Sequence, residues 1–429
     1  MRTASLPAEQ GRPRPAAAVY ERLATPLVVR TLLAALTVVI LGRTARFTGL
    51  FGPIGLSDFD ILHIAGRMVW RGDIADAYHL PALLRVQQDL TGQQDFLPWA
   101  YPPPFNLVVA VLATLPVSLA YLLFTGTTLA AFLFVLRRIA GPFFPALLIA
   151  LFPALFITVS CGQNGFLTGT LIGLACLGLV HGRASAGLPL GLMVIKPHLA
   201  VGVAVCALAL RRWACLAVAA GTAGVAAALA TAVLGTAIWP AFLRGADEAS
   251  ANLAAGLYPL FRMISVYASL RSLDLPAAGA LAAQAMTAVT ALGFVLLALR
   301  RGLPRRQVVG LAAVAGLLVS PYAYDYDLSL YGVGLALLLP DLLDRASRRE
   351  QAALLGLGWV ASGYGFVAGT INEHLVPVGA EPLVALSLPG PFLLILLALM
   401  WHVLRRERAP ASAVETDPAT AALQASAAL

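Results

Sequence analysis

The sequence predicts an all-α polytopic membrane protein, and three observations carry that prediction. Of its 429 residues, 59% are hydrophobic and only 12% are charged, whereas a soluble domain carries about a quarter charged residues. The charges are also segregated. No Asp, Glu, Lys or Arg occurs in 101–136, 139–182, 213–243, 275–299 or 382–404. Finally, most Lys and Arg stand in short groups between apolar stretches: Arg137-Arg138, Arg183 after His181-Gly182, Arg211-Arg212, Arg300 to Arg306, Arg345 to Arg349, and Arg405-Arg406. A spanning helix needs about 20 mostly apolar residues, and short basic loops mark the cytoplasmic side.

With those basic groups held inside, the spans fall roughly at 26–45, 106–136, 140–160, 165–181, 185–195, 198–210, 214–236, 276–299, 307–320, 328–343, 352–370 and 383–404. That pattern predicts about twelve crossings with both termini cytoplasmic. The stretch 106–136 is too long for one straight helix, and Pro116 divides it into an interfacial piece and a true span. The pieces 185–195 and 198–210 are too short to cross alone and read as a half-helix hairpin broken at Lys196-Pro197. Arg43 and Arg46 fall near the outer face, against the charge rule. The organisation expected is a basic, Pro-containing leader over 1–25, a transmembrane unit over 26–405, and an Ala/Ser/Thr-rich disordered tail over 406–429. The net charge of +8 resides largely in the topogenic clusters and gives no reason to expect nucleic acid. Cys161, Cys176, Cys206 and Cys215 have no metal-ligand spacing.

Every unusual polar motif falls on the outward loops. They are Ser57-Asp58-Phe59-Asp60, Tyr101-Pro102-Pro103-Pro104, Gly162-Gln163-Asn164, Lys196-Pro197-His198, Ser265-Val266-Tyr267 in a long 239–275 loop, and Ser320-Pro321-Tyr322 through Asp327. The inward loops are short and basic. From Asp58 to Arg71 the spacing predicts an amphipathic interfacial helix, with Asp60, His63, Arg67 and Arg71 on one face. Spacing alone favours Asp58 as a helix cap and allows Asp60 to pair with Arg67. Lys196 is the one formal charge between Ala184 and Leu210. At membrane depth it is either a snorkelling side chain or a binding point for an anionic group, with His198 beside it. Gln163 and Asn164 suit sugar hydroxyls as well as a polar turn. Tyr322, Tyr324 and Tyr326 suit an aromatic belt, but the interleaved Asp325 and Asp327 do not need one. Arg244, Arg262 and Arg271 are candidate anion contacts or ordinary loop charges. No phosphate loop, dinucleotide fingerprint, zinc pattern or Ser-His-Asp signature is evident, which leaves nucleotide chemistry on the cytoplasmic side unsupported.

Taken in order, these motifs resemble glycosyltransferase family 87, the polyprenol-phosphate-mannose-dependent membrane mannosyltransferases. The elements are Asp58-Phe59 followed by Gly72 to Tyr78, then Tyr101-Pro102-Pro103, Gly162-Gln163-Asn164, Lys196-Pro197, Ser265-Val266-Tyr267 and Ser320-Pro321-Tyr322 to Asp327. The chain has Leu62 where the family often carries an aromatic residue. The resemblance implies a GT-C-type fold with short amphipathic helices in the outer loops. It implies a catalytic base in the first outer loop, Asp58 with Asp60 as the fallback. The donor would be a polyprenyl-phosphate-linked hexose, mannose on the family's pattern, with its phosphate met by Lys196, His198 and Arg262. The acceptor would be a lipid or glycan. Sugar and acceptor contacts are expected from Tyr101, Gln163, Asn164, Tyr267, Tyr322, Tyr324, Asp325 and Asp327. No metal and no cofactor is expected. The site would face outward from the inner membrane, among membrane lipids. The competing reading is a transporter or flippase of lipid-linked sugars, which should place ionisable residues at mid-depth in several helices. A third is an assembly subunit without activity.

Overall fold

Residues 24–49, 56–92, 94–375 and 382–406 are described by a computed structural model. The leader up to residue 23 and the tail from residue 407 lie outside the described residues. Among the described residues the chain forms α-helices joined by short 3-10 turns, and the one β-type contact is a bridge between Met263 and Tyr324. The helices are α1 (Pro26–Arg46), α2 (Asp58–Arg71), α3 (Leu80–Thr91), α4 (Pro103–Leu112), α5 (Val117–Ala140), α6 (Phe144–Cys161), α7 (Gly165–Val180), α8 (Gly187–Leu192), α9 (Val201–Ala209), α10 (Trp213–Leu234), α11 (Ile238–Ala254), α12 (Val266–Arg271), α13 (Ala277–Arg300), α14 (Arg305–Leu317), α15 (Ser329–Arg345), α16 (Arg348–Leu375) and α17 (Pro389–Leu404).

The apolar residues are distributed as a lipid solvent requires. Helices α14 and α15 lie at the centre, with almost every side chain buried. The rim is apolar yet uncovered: Leu27, Val225, Met286 and Val289 are each 70% or more exposed. An apolar rim of this extent on a water-soluble protein would drive association. Six helical stretches among the described residues are long and apolar enough to cross a membrane: Pro26–Arg46, Val117–Cys161, Trp213–Leu234, Ala277–Arg300, Asp325–Arg345 and Arg348–Leu375. The stretch Val117–Cys161 contains two helices, α5 and α6, separated at Gly141. The remaining expected spans are shorter. Segments Gly165–Val180, Ala184–Ile195, Pro197–Ala209 and Pro389–Leu404 are apolar helical pieces of 10–17 residues, and α14 has 13 residues. The structure therefore supports fewer full-length spans than the twelve expected from charge spacing. Short helices survive because their neighbours cover them, a condition that hydropathy does not register.

Both proline-based expectations hold. Pro116 stands at the N-cap of α5 and separates it from α4. Lys196 breaks the segment between two 3-10 turns, with φ −153° and ψ 67°, because Pro197 disfavours helical backbone in the residue before it. The arms of this hairpin return to one end of the molecule. Gly182 stands beside Arg212 and Arg305, so three basic groups converge there. Gly187 and Gly191 let α8 approach the backbone of α10 at Cys215 and Ala219, the small-residue packing that brings membrane helices together. The segment 239–275, expected as a loop, is instead mostly helical, with α11 and α12 inside it.

Gly162 illustrates why one motif residue cannot vary. It ends α6 in the left-handed region at φ 68°, where glycine carries no steric penalty. A Cβ there would stand 2.8 Å from Phe59 Cβ and 2.9 Å from the Tyr121 ring. Gly162→Ala is expected to lower stability by about 2–3 kcal/mol from strain plus overpacking. Thermal unfolding of the purified protein in detergent checks this.

Candidate active site

The N-terminus of α2 separates the roles of its two carboxylates. Ser57 is the N-cap, and Asp60 closes the capping box: its Oδ2 accepts from the Ser57 backbone N–H at 2.7 Å and from Ser57 Oγ at 2.8 Å. Such caps satisfy backbone donors that the first turn leaves without partners. Burial raises the Asp60 carboxyl above its ordinary range, with the Ser57 hydrogen bonds opposing. Asp58 is thereby relieved of the capping duty that its position suggested. It lines a cavity, and its Oδ2 lies 3.0 Å from Arg262 Nη2. Asp60 does not line that cavity and bonds Ser57 rather than Arg67.

Arg262 joins two distant parts of the chain. Its Nε donates to Asp325 Oδ2 at 3.2 Å and its Nη2 to Asp325 Oδ1 at 3.2 Å. The same Nη2 reaches Asp58 and, at 3.0 Å, Cys161 Sγ. Backbone contacts set this register: Ile264 N–H donates to Ala323 O at 2.8 Å beside the Met263–Tyr324 bridge. Ser265 caps α12 through Ala268 N–H and donates its hydroxyl to Pro321 O at 2.8 Å. Burial opposes the Arg262 charge, but Asp325 and Asp58 outweigh it and hold the guanidinium well above its ordinary pKa.

Lys196 forms the second ion pair. Its Nζ lies 2.5 Å from Asp327 Oδ1, and the two side chains are 6% and 0% exposed. Asp327 Oδ2 also accepts from Tyr324 N–H at 3.1 Å and so starts the 3-10 turn Asp325–Leu328. The ammonium stands over the Tyr326 ring at 4.7 Å, a favourable placement for a cation. Tyr324 and Tyr326 stack with centroids 5.4 Å apart. Tyr101 donates its hydroxyl to Gln163 Oε1 at 2.9 Å. Burial first, then Asp327 and Asp58, push the Tyr101 hydroxyl well above its ordinary pKa, so it stays a neutral donor.

One cavity of about 390 Å³ collects these groups. Asp58, Tyr101, Gln163, Lys196, His198, Arg262, Tyr322, Tyr324 and Tyr326 all line it. Four of the residues expected to contact sugar or acceptor lie behind this lining and do not face the cavity. Asp325 and Asp327 are fully buried behind Arg262 and Lys196 and pair with those cations. Asn164 is buried at the start of α7. Tyr267 packs in the cluster that also holds the cavity-lining Leu253, Tyr258, Tyr324 and Tyr326, with its hydroxyl donating to Leu253 O at 3.2 Å. Of the other arginines, Arg271 bonds the carbonyls of Leu275 and Ala254, and Arg244 is exposed and lines no part of the cavity. The other wall was missed in the sequence. It consists of Phe96, Leu97 and Pro98, Tyr258, and the α11 residues Phe242, Ala246, Ala249, Ser250 and Leu253. The three-to-four residue spacing along α11 is the amphipathic signal that identifies such a face.

The fold and cavity define a polytopic membrane protein with a charged, tyrosine-lined cavity at one end of its helices. Residues 99–321 match glycosyltransferase family 87. The chain belongs to that family and is a membrane glycosyltransferase, which takes the enzyme reading over transporter and assembly subunit. No curated protein and no solved structure matches the chain.

Removing one partner of a buried ion pair strands the other, whereas replacing both by apolar groups is far milder. Asp327→Leu is expected to cost about 3–5 kcal/mol, and the double change Lys196→Met with Asp327→Leu to recover much of that loss. Thermal unfolding of the two variants in detergent gives the comparison.

Proposed function

We propose that this glycosyltransferase moves a hexose, mannose on the family resemblance, from a polyprenyl-phosphate donor to a hydroxyl of a lipid or glycan acceptor. The reaction would lie on the extracytoplasmic side of the inner membrane, the side opposite the basic loop clusters. The observation that carries this reading is the meeting of one cavity-facing carboxylate and two braced cations in a single cavity: Asp58, Arg262 and Lys196.

Each group has a distinct task. Asp58 takes the proton of the acceptor hydroxyl as that oxygen attacks the anomeric carbon. The bond from that carbon to the phosphate oxygen breaks on the opposite face, so configuration inverts. The leaving polyprenyl phosphate gains negative charge, which Lys196 and Arg262 offset from fixed positions. His198 Nε2 is buried and has no hydrogen-bond partner among the described residues, which leaves it available to a phosphate oxygen or sugar hydroxyl. Arg262 divides its donors between Asp58 and Asp325. A donor phosphate competes with Asp58 for that guanidinium and releases the carboxylate to act as base. Gln163 and the tyrosines supply hydroxyl-matching groups and stacking faces for the sugar ring.

In this orientation the lysine would lie within membrane depth. The helical segment from Ala184 to Ile195 rises by roughly 20 Å at ~1.5–2 Å per residue, against a hydrocarbon core of about 30 Å. A headgroup-level phosphate on a lipid donor reaches such a point without leaving the bilayer.

Asp58→Asn is expected to reduce transfer from radiolabelled polyprenyl-phosphate-mannose by about 10²–10⁴-fold with folding preserved. Sugar transfer at the parental rate would exclude Asp58 as the base. Arg262→Met is expected to lower the rate and weaken donor binding together, read as separate changes in kcat and KM.

A further inference from the structure

A second polar feature stands at the far end of α2. Arg67, Trp70 and Arg71 lie about 14–20 Å along the helix from Asp58, at ~1.5 Å per residue. Together with Ala113 and Thr114, which follow α4, they line a surface groove of about 410 Å³. Gly66 brings α2 against the α4 backbone, since a Cβ there would stand 2.1 Å from Val109 O. The two walls of the groove are thereby held together. Neither arginine takes part in an ion pair among the described residues. Two like charges one helical turn apart repel each other, and basic residues on this side run against the charge rule that most other loops obey.

The groove is also amphipathic and sits at a defined level. Trp70 is 66% exposed although its indole N–H donates to Ala110 O at 2.7 Å. His63 Nε2 lies 2.9 Å from Leu115 O, two residues before α5 begins at Val117. Helix α5 has 24 residues and carries Arg137 and Arg138 in its last turn. A helix of that length spans about 36 Å, so the groove stands at the bilayer boundary opposite those arginines.

We infer that this groove holds the phosphate of an anionic phospholipid from the adjoining leaflet. The two guanidinium forks match phosphate oxygens, and Trp70 and Ala113 provide the apolar side along which acyl chains lie. A free anion would leave that apolar side uncovered. Lipid binding here does not depend on sugar transfer.

Native mass spectrometry of the full-length protein in detergent tests it, with phosphatidylglycerol, phosphatidylcholine, inorganic phosphate and polyprenyl phosphate as probes. Arg67→Gln with Arg71→Gln is expected to reduce retained phosphatidylglycerol by on the order of tenfold and leave phosphatidylcholine unchanged. Arg67→Lys with Arg71→Lys keeps the charge without the fork, serves if the glutamine variant unfolds, and should retain less phosphatidylglycerol than the parent. Equal phosphatidylglycerol retention in the parent and in the variant that folds overturns the proposal. So does retention of inorganic phosphate, or of polyprenyl phosphate, in place of phosphatidylglycerol.

Discussion

The structure depends on keeping charge at the end of an apolar helical body. Arg262 and Lys196 are held by Asp325 and Asp327, two carboxylates with no exposure. A buried charge without a partner is strongly unfavourable, and a paired one is tolerable only with good geometry and further hydrogen bonds. Both aspartates meet that condition. Asp325 accepts from the Tyr326 backbone and Asp327 from the Tyr324 backbone, so one short turn organises both pairs.

Much of the surrounding chain exists to hold that turn in register. Ser265 ties α12 to Pro321, and Ile264 pairs with Ala323. Gly162 brings the end of α6 against Phe59, the residue that follows Asp58. The broken hairpin delivers Lys196 from another part of the fold. Glycine contacts between α8 and α10 support its first arm. The motifs thus fall into residues that face the cavity and residues that position them. Asp58, Gln163, Lys196 and Arg262 belong to the first kind. Gly162, Ser265, Asp325 and Asp327 belong to the second.

The division of labour between Asp58 and Asp60 has a local origin. A helix N-terminus accommodates a carboxylate at several early positions. Only the side chain that reaches back to the Ser57 N–H closes the cap, and here it is Asp60. Asp58 is left with Arg262 as its partner and with the cavity in front of it.

The apolar body, the helix breaks at Pro116 and Lys196, and the segregation of polar motifs from basic loops are all determined by the sequence alone. Hydropathy and proline chemistry act over a few neighbouring residues, so their effects are visible locally. The tertiary structure decided which expected spans are short covered helices, because cover is supplied by distant segments. It also decided that Asp325 and Asp327 pair with cations, that Tyr267 and Asn164 lie behind the residues that line the cavity, and that α11 forms its other wall. Those outcomes rest on contacts between residues far apart in the chain, such as Arg262 with Asp58, and no local pattern encodes such a pairing.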